Sequence, residues 1–189
     1  MIKKVFAAML LTVIFFFTNS VSAAPHIIYR VSMEDVGWMQ TVGDGAVAGT
    51  PDQGRRLEAV VIKFSDGIEY NAHVQGIGWQ GWTYSGEVAG TVGRSKRLEA
   101  IQIRLTGRLA DSYDVCYRAF VGDYGWQDWV RNGEVAGTEG LGQRLEALQI
   151  RIVKKGSYYD DRDDYYDDYY DDRYDDDRYR RGRYGRARW

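Results

Sequence analysis

The chain has 189 residues, 44% of them hydrophobic and 28% charged, and its 25 Lys and Arg against 27 Asp and Glu leave a net charge of -2. Acidic and basic blocks that nearly cancel point to no particular partner. Cys116 is the only cysteine, which excludes an intramolecular disulfide, so the hydrophobic core must hold the fold and Cys116 is expected inside it as a small hydrophobe.

Residues 1–23 have the layout of a secretory signal: Lys3 and Lys4, an apolar run from Val5 to Phe17, then Val21-Ser22-Ala23. Cleavage is expected after Ala23. The apolar run is shorter than the roughly 20 residues that cross a bilayer, and no later segment is apolar enough to do so. The mature protein is therefore expected to be secreted, extracellular or associated with the cell surface, without membrane insertion.

One domain is expected over 26–155, made of three copies at about 28–65, 68–107 and 113–153. Val36-Gly37-Trp38 recurs as Ile77-Gly78-Trp79 and Tyr124-Gly125-Trp126. Gly45 to Thr50 recurs as Gly86 to Thr91 and Gly133 to Thr138, and Arg56-Leu57-Glu58-Ala59 as Arg97 to Ala100 and Arg144 to Ala147. Trp79 follows Trp38 by 41 residues and Trp126 follows Trp79 by 47, which places the insertion between Leu105 and Tyr117.

Each copy opens on an alternating run (Tyr29, Val31, Met33; Tyr70, Ala72, Val74; Tyr117, Ala119, Val121) and closes on another, such as Ile101 to Leu105. Period two predicts strands. Asp66-Gly67 lies between two such runs and predicts a hairpin straddling the first boundary. Pairing the last strand of each copy with the first strand of the next would close a ring and remove exposed edges. The expected fold class is thus all-β with pseudo-threefold closure, prism-like or, with a fourth strand per unit, trefoil-like. Units of about 41 residues bury too little surface to stand alone.

From Gly156 to Trp189 the chain is Tyr, Asp, Arg and Gly with hardly an aliphatic residue, so the tail is expected to be disordered. Asp dominates from Asp160 to Asp177 and Arg from Arg178 onward. Such blocks act as solvating tails or interaction tails; for a secreted chain with this acidic block, nucleic acid is not an expected partner.

Trp38, Trp79 and Trp126 follow Gly in all copies, where a ring either fills a threefold core or stacks on a sugar. Trp82 and Trp129 are candidate ligand contacts because the first copy replaces them, with Val42 taken as their counterpart. Gln80 and Gln127 stand two residues earlier as candidate hydroxyl partners. Glu58, Glu99 and Glu146 each follow an Arg by two residues. They read as repeated Arg–Glu pairs or as carboxylates satisfying a nearby turn, with a carbohydrate- or cation-contacting carboxylate as the alternative. Thr50, Thr91 and Thr138 are expected to fix the Gly-Thr turn through their hydroxyls. His26 and His73, the only histidines, carry no catalytic or metal motif. No enzyme activity, metal or cofactor is expected.

Gly78-Trp79-Gln80-Gly81-Trp82, Gly86 to Thr91 and Arg97 to Ile101 resemble the clostridial hydrophobic W (ChW) repeat, over roughly residues 28 to 153. The first copy departs from the pattern with Met39-Gln40-Thr41-Val42. The resemblance implies a protein of the kind secreted by Gram-positive bacteria for surface attachment, polysaccharide binding or protein–protein contact, with no catalytic role. The expected partners are therefore a surface polysaccharide or cell-wall polymer bound through Trp79, Trp82, Trp126, Trp129, Gln80 and Gln127. The alternative is a protein partner or self-association, with the charged tail as contact.

Overall fold

A computed structural model describes residues 24–157. The expected signal segment, 1–23, and the tail beyond Ser157 lie outside the described residues. Copy one runs through β1 (Ile28–Met33), β2 (Gly37–Trp38), β3 (Val42–Gly43), β4 (Ala48–Gly49) and β5 (Leu57–Lys63). Copy two repeats this as β6 (Ile68–Val74), β7 (Gly78–Trp79), β8 (Thr83–Tyr84), β9 (Ala89–Gly90) and β10 (Leu98–Leu105). Copy three follows as β11 (Tyr113–Val121), β12 (Gly125–Trp126), β13 (Val130–Arg131), β14 (Ala136–Gly137) and β15 (Leu145–Lys154). The protein is all-β, and its one helical turn among the described residues is the 3-10 turn Arg108–Asp111. Part of the insertion forms that turn, and part lengthens β11, which begins four residues before Tyr117.

The long strands pair within each copy, β1 with β5, β6 with β10 and β11 with β15, all antiparallel. This corrects the expected pairing between successive copies. The Asp66-Gly67 hairpin is absent: β5 and β6 belong to different sheets, and the turn is a corner between them. A neighbouring element claims its polar groups, since the Gly67 carbonyl accepts from the Thr106 amide and the Asp66 carboxylate from the Leu109 amide.

Each copy instead lends a short strand to a neighbour. β9 of copy two joins β5, β14 of copy three joins β10, and β4 of copy one joins β15. The three antiparallel sheets are thereby linked in a cycle.

A bulge sets up this exchange at the same place in every copy. Ala59 pairs with Ser32 and Leu57 with Met33, which leaves Glu58 as the extra residue; Glu99 and Glu146 are the extra residues of β10 and β15. A bulge resets the alternation of a strand, so Leu57, Val60 and Ile62 all reach the shared core, as do Leu98, Ile101 and Ile103, and Leu145, Leu148 and Ile150. The bulged residue's carbonyl is turned to the neighbouring copy. Thr91 donates its amide to the Glu58 carbonyl at 2.8 Å, Thr138 to Glu99 at 2.8 Å and Thr50 to Glu146 at 3.1 Å.

The residue before each Thr must be glycine. Gly90 has φ +104, and a Cβ on it would stand 2.4 Å from the Glu58 carbonyl oxygen. The Thr hydroxyls do not brace the turn as expected. The Thr91 and Thr138 hydroxyls are buried without a hydrogen-bond partner among the described residues, and that of Thr50 faces the Met33 sulfur at 3.8 Å. The backbone amides brace it.

The core is filled by tyrosine. Tyr29, Tyr70 and Tyr117 are all fully buried and cluster with the aliphatic residues of the three sheets. Cys116 is also buried.

Candidate functional site

Trp38, Trp79 and Trp126 lie in the short strands β2, β7 and β12, while Gln80, Gln127, Trp82 and Trp129 lie in the segments that follow, all outside the shared core. Trp38, Trp79 and Trp126 pair through their backbones with Ser32, His73 and Phe120, and each is half-buried. None belongs to the core cluster, so the core-filling role considered for them falls to the tyrosines. Trp79 stands edge-on to His73, with centroids 5.3 Å apart at 81°, and Trp126 edge-on to Phe120 at 5.6 Å and 88°.

Register corrects the counterpart of Trp82 and Trp129 in copy one. Tyr29 pairs with Val42, Tyr70 with Thr83 and Tyr117 with Val130, so Val42 corresponds to Thr83 and Val130. The residue one step earlier is Trp82 in copy two, Trp129 in copy three and Thr41 in copy one.

Arginines cover these rings. The Arg104 guanidinium lies 4.0 Å from the centre of Trp82 and also pairs with Glu69. Arg151 lies 3.9 Å from Trp129, Arg118 lies 4.8 Å from Trp129 and 4.9 Å from Trp126, and Arg30 lies 4.7 Å from Trp38. Copy three therefore carries a row of Phe120, Trp126, Arg118, Trp129 and Arg151 across its sheet. Sequence reasoning missed these arginines. The signal was present in the outward positions of the alternating strands, where Arg104 and Arg151 alternate with Ile103 and Ile150.

Beside Trp129 is an open cleft of about 430 Å³ that includes Asp44, Gly45, Gln149 and Arg151. Two copies form it, with Gln149 donating to the Gly45 carbonyl at 2.8 Å across the junction. Gln102 makes the same bond to Gly133 at 3.0 Å. The amide oxygens of Gln80 and Gln127 accept from the amides of Gly90 and Gly137 at 2.7 and 2.6 Å. That bond supports the exchanged strand, and Met39 at the equivalent position of copy one cannot make it.

The glutamates form the repeated Arg–Glu pair. Arg97 donates Nε and Nη2 to one Glu99 oxygen at 2.9 and 2.8 Å, and Arg144 does the same for Glu146 at 2.8 and 2.8 Å. Arg56 holds Glu58 at 3.2 and 3.0 Å. The second Glu146 oxygen accepts from the Gln53 and Gly54 amides of copy one at 3.1 and 3.3 Å. The second Glu99 oxygen lies 3.1 Å from His73 Nδ1. All three glutamates are buried, and their partners account for that burial. Among the described residues, no three of His, Cys, Asp and Glu gather as a metal site requires.

These features define a tandem-repeat β protein with aromatic and cationic residues ranged on its outer faces. Residues 33–66, 73–107 and 120–154 each match the family model described as clostridial hydrophobic W (ChW), and the chain belongs to that family. Searches of curated proteins and of solved structures returned no match.

Proposed function

We propose that the chain is a secreted, non-enzymatic binding module for a surface polysaccharide or cell-wall component, engaged through the outer faces of copies two and three. The observation that carries this reading is the set of half-buried Trp79, Trp82, Trp126 and Trp129 on those faces, with Arg104, Arg118 and Arg151 against them. Half-buried indoles beside fixed cations offer apolar contact to a sugar ring and charge to an acidic substituent. The signal-like residues 1–23 support export.

The test is sedimentation of the mature chain with purified cell-wall polysaccharide. Trp82→Ala with Trp129→Ala is expected to reduce the bound fraction while the cooperative unfolding transition is kept. Unchanged binding by the folded double variant rejects this site.

A second reading is a protein–protein or surface-assembly module. It is favoured by Val36, Ile77 and Tyr124, which occupy the same turn in the three copies and are each exposed by 47% or more. Removing residues 156–189 would abolish self-association if the tail is the contact, and would leave polysaccharide sedimentation intact.

A further inference from the structure

Comparing the copies shows what one cleft is shaped to hold. In copy three the Trp129 ring lies near two cations, Arg118 on β11 and Arg151 on β15. Their counterparts in copy one are Arg30 on β1 and Lys63 on β5, and the ring's counterpart is Thr41. With the shorter Thr41 side chain, Arg30, Thr41, Val61, Lys63 and Gly86 line a cleft of about 210 Å³. A cavity on the order of 150 Å³ accommodates benzene, so this cleft has room for one aromatic ring. Val61 stands where Gln149 stands in copy three, giving the ring an apolar wall.

Charge narrows the occupant further. Among the described residues no carboxylate pairs with Arg30 or Lys63, whereas Arg104, the copy-two counterpart of Lys63, is held by Glu69. A segment that combines aromatic rings with carboxylates suits a cleft between two such cations. The chain contains one. Residues 158–177 include seven tyrosines and eleven aspartates, as in Tyr165-Tyr166-Asp167-Asp168.

Reach is sufficient, because 20 extended residues span up to about 70 Å, about twice the diameter of a compact domain of roughly 130 residues. Covalent linkage also holds the segment at an effective concentration on the order of millimolar.

We infer that a tyrosine of residues 158–177 seats in the Thr41 cleft of its own chain, between Arg30 and Lys63, with neighbouring aspartates against the two cations. The segment replaces, from outside the domain, the ring that Trp82 and Trp129 supply from within. This contact goes beyond polysaccharide binding by copies two and three and does not depend on it.

Carbodiimide coupling of the full chain at low concentration, mapped by mass spectrometry, tests it by joining lysine amines to nearby aspartates. Lys63 is expected to couple to residues 158–177 in clear excess over Lys96. Thr41→Trp, which builds in the ring of the other copies, is expected to lower the Lys63 coupling by about fivefold, the size of one exposed cation–π contact. Replacing the seven tyrosines of residues 158–177 with Ser is expected to lower it similarly without altering the domain. Equal coupling at Lys63 and Lys96, or no response to either variant, overturns the inference. If a mixture of ¹⁴N and ¹⁵N chains gives Lys63 products of mixed isotope, the segment belongs to a second copy and the intrachain contact is rejected.

Discussion

The Tyr29 hydroxyl accepts a hydrogen bond from the Ile150 amide at 3.0 Å, joining the first strand to the last across 121 residues. The same hydroxyl donates to the Ala46 carbonyl of its own copy. Tyr70 links the Ile62 amide to the Glu87 carbonyl, and Tyr117 links the Ile103 amide to the Glu134 carbonyl. Each tyrosine thus fills the core and ties its copy to the preceding one, with Tyr29 tied to copy three.

Tyr29→Phe keeps the ring and removes the tie. The Ile150 amide and the Ala46 carbonyl each lose a buried partner, and the expected loss of stability is about 1–3 kcal/mol. Urea unfolding is expected to show a lower midpoint with an unchanged slope; a midpoint equal to that of the parent chain contradicts this role.

Alkaline pH acts on the same hydroxyls. Burial pushes Tyr29 and Tyr117 up to about 12 and raises Tyr70 as well. An unfolded tyrosine ionises near 10. The fold therefore favours the neutral phenol: its stabilisation is intact below pH 10 and is lost as pH rises from 10 toward 12. Each such tyrosine contributes a slope of up to about 1.4 kcal/mol per pH unit. Tyrosinate absorbance is expected to show three late-titrating residues, and Tyr29→Phe to remove one of them and flatten the stability loss.

Gly90 and Gly78 separate backbone conformation from close approach. Both have positive φ, +104 and +85, yet a Cβ on Gly78 meets nothing within 4 Å while one on Gly90 runs into the Glu58 carbonyl. Gly78→Ala is expected to cost about 1–2 kcal/mol. Gly90→Ala adds a clash at the exchanged strand and is expected to cost several kcal/mol or prevent folding. Similar melting temperatures for the two variants contradict this account.

Glu146 is the most buried of the three glutamates, and it bonds both its own Arg144 and the Gln53-Gly54 backbone of copy one. Glu146→Ala strands the guanidinium and two amides, for an expected loss of about 3–5 kcal/mol. Glu146→Gln keeps an oxygen for one partner and is expected to cost less. Thermal unfolding of the pair distinguishes them; equal losses reject the carboxylate as the shared acceptor.

The strands and the core face were legible because they follow from local alternation. Tyr29, Val31 and Met33 and their counterparts are the inward residues the pattern marks out. The Asp66-Gly67 signal misled because hairpin propensity is local, whereas the turn's polar groups are claimed by Thr106 and Leu109. The role of tryptophan was not legible either. Repetition alone does not separate a ring at the centre from one on an outer face. The match of Trp82 and Trp129 to Thr41 rather than Val42, in contrast, already follows from the 41- and 47-residue offsets, and the register agrees with it. The Arg–Glu pairing was readable from its spacing. That Glu58 is the extra residue of a bulge was not, since the bulge exists only relative to the partner strand.

The exchange of β4, β9 and β14 makes three a closed number. A chain with one or two such units would be left with a Gly-bearing strand lacking an acceptor edge, and with a bulged glutamate whose carbonyl has no amide to meet. A fourth unit in line would compete with the first for β15. In this chain, three units complete the circuit and leave no exchanged strand without an edge to join.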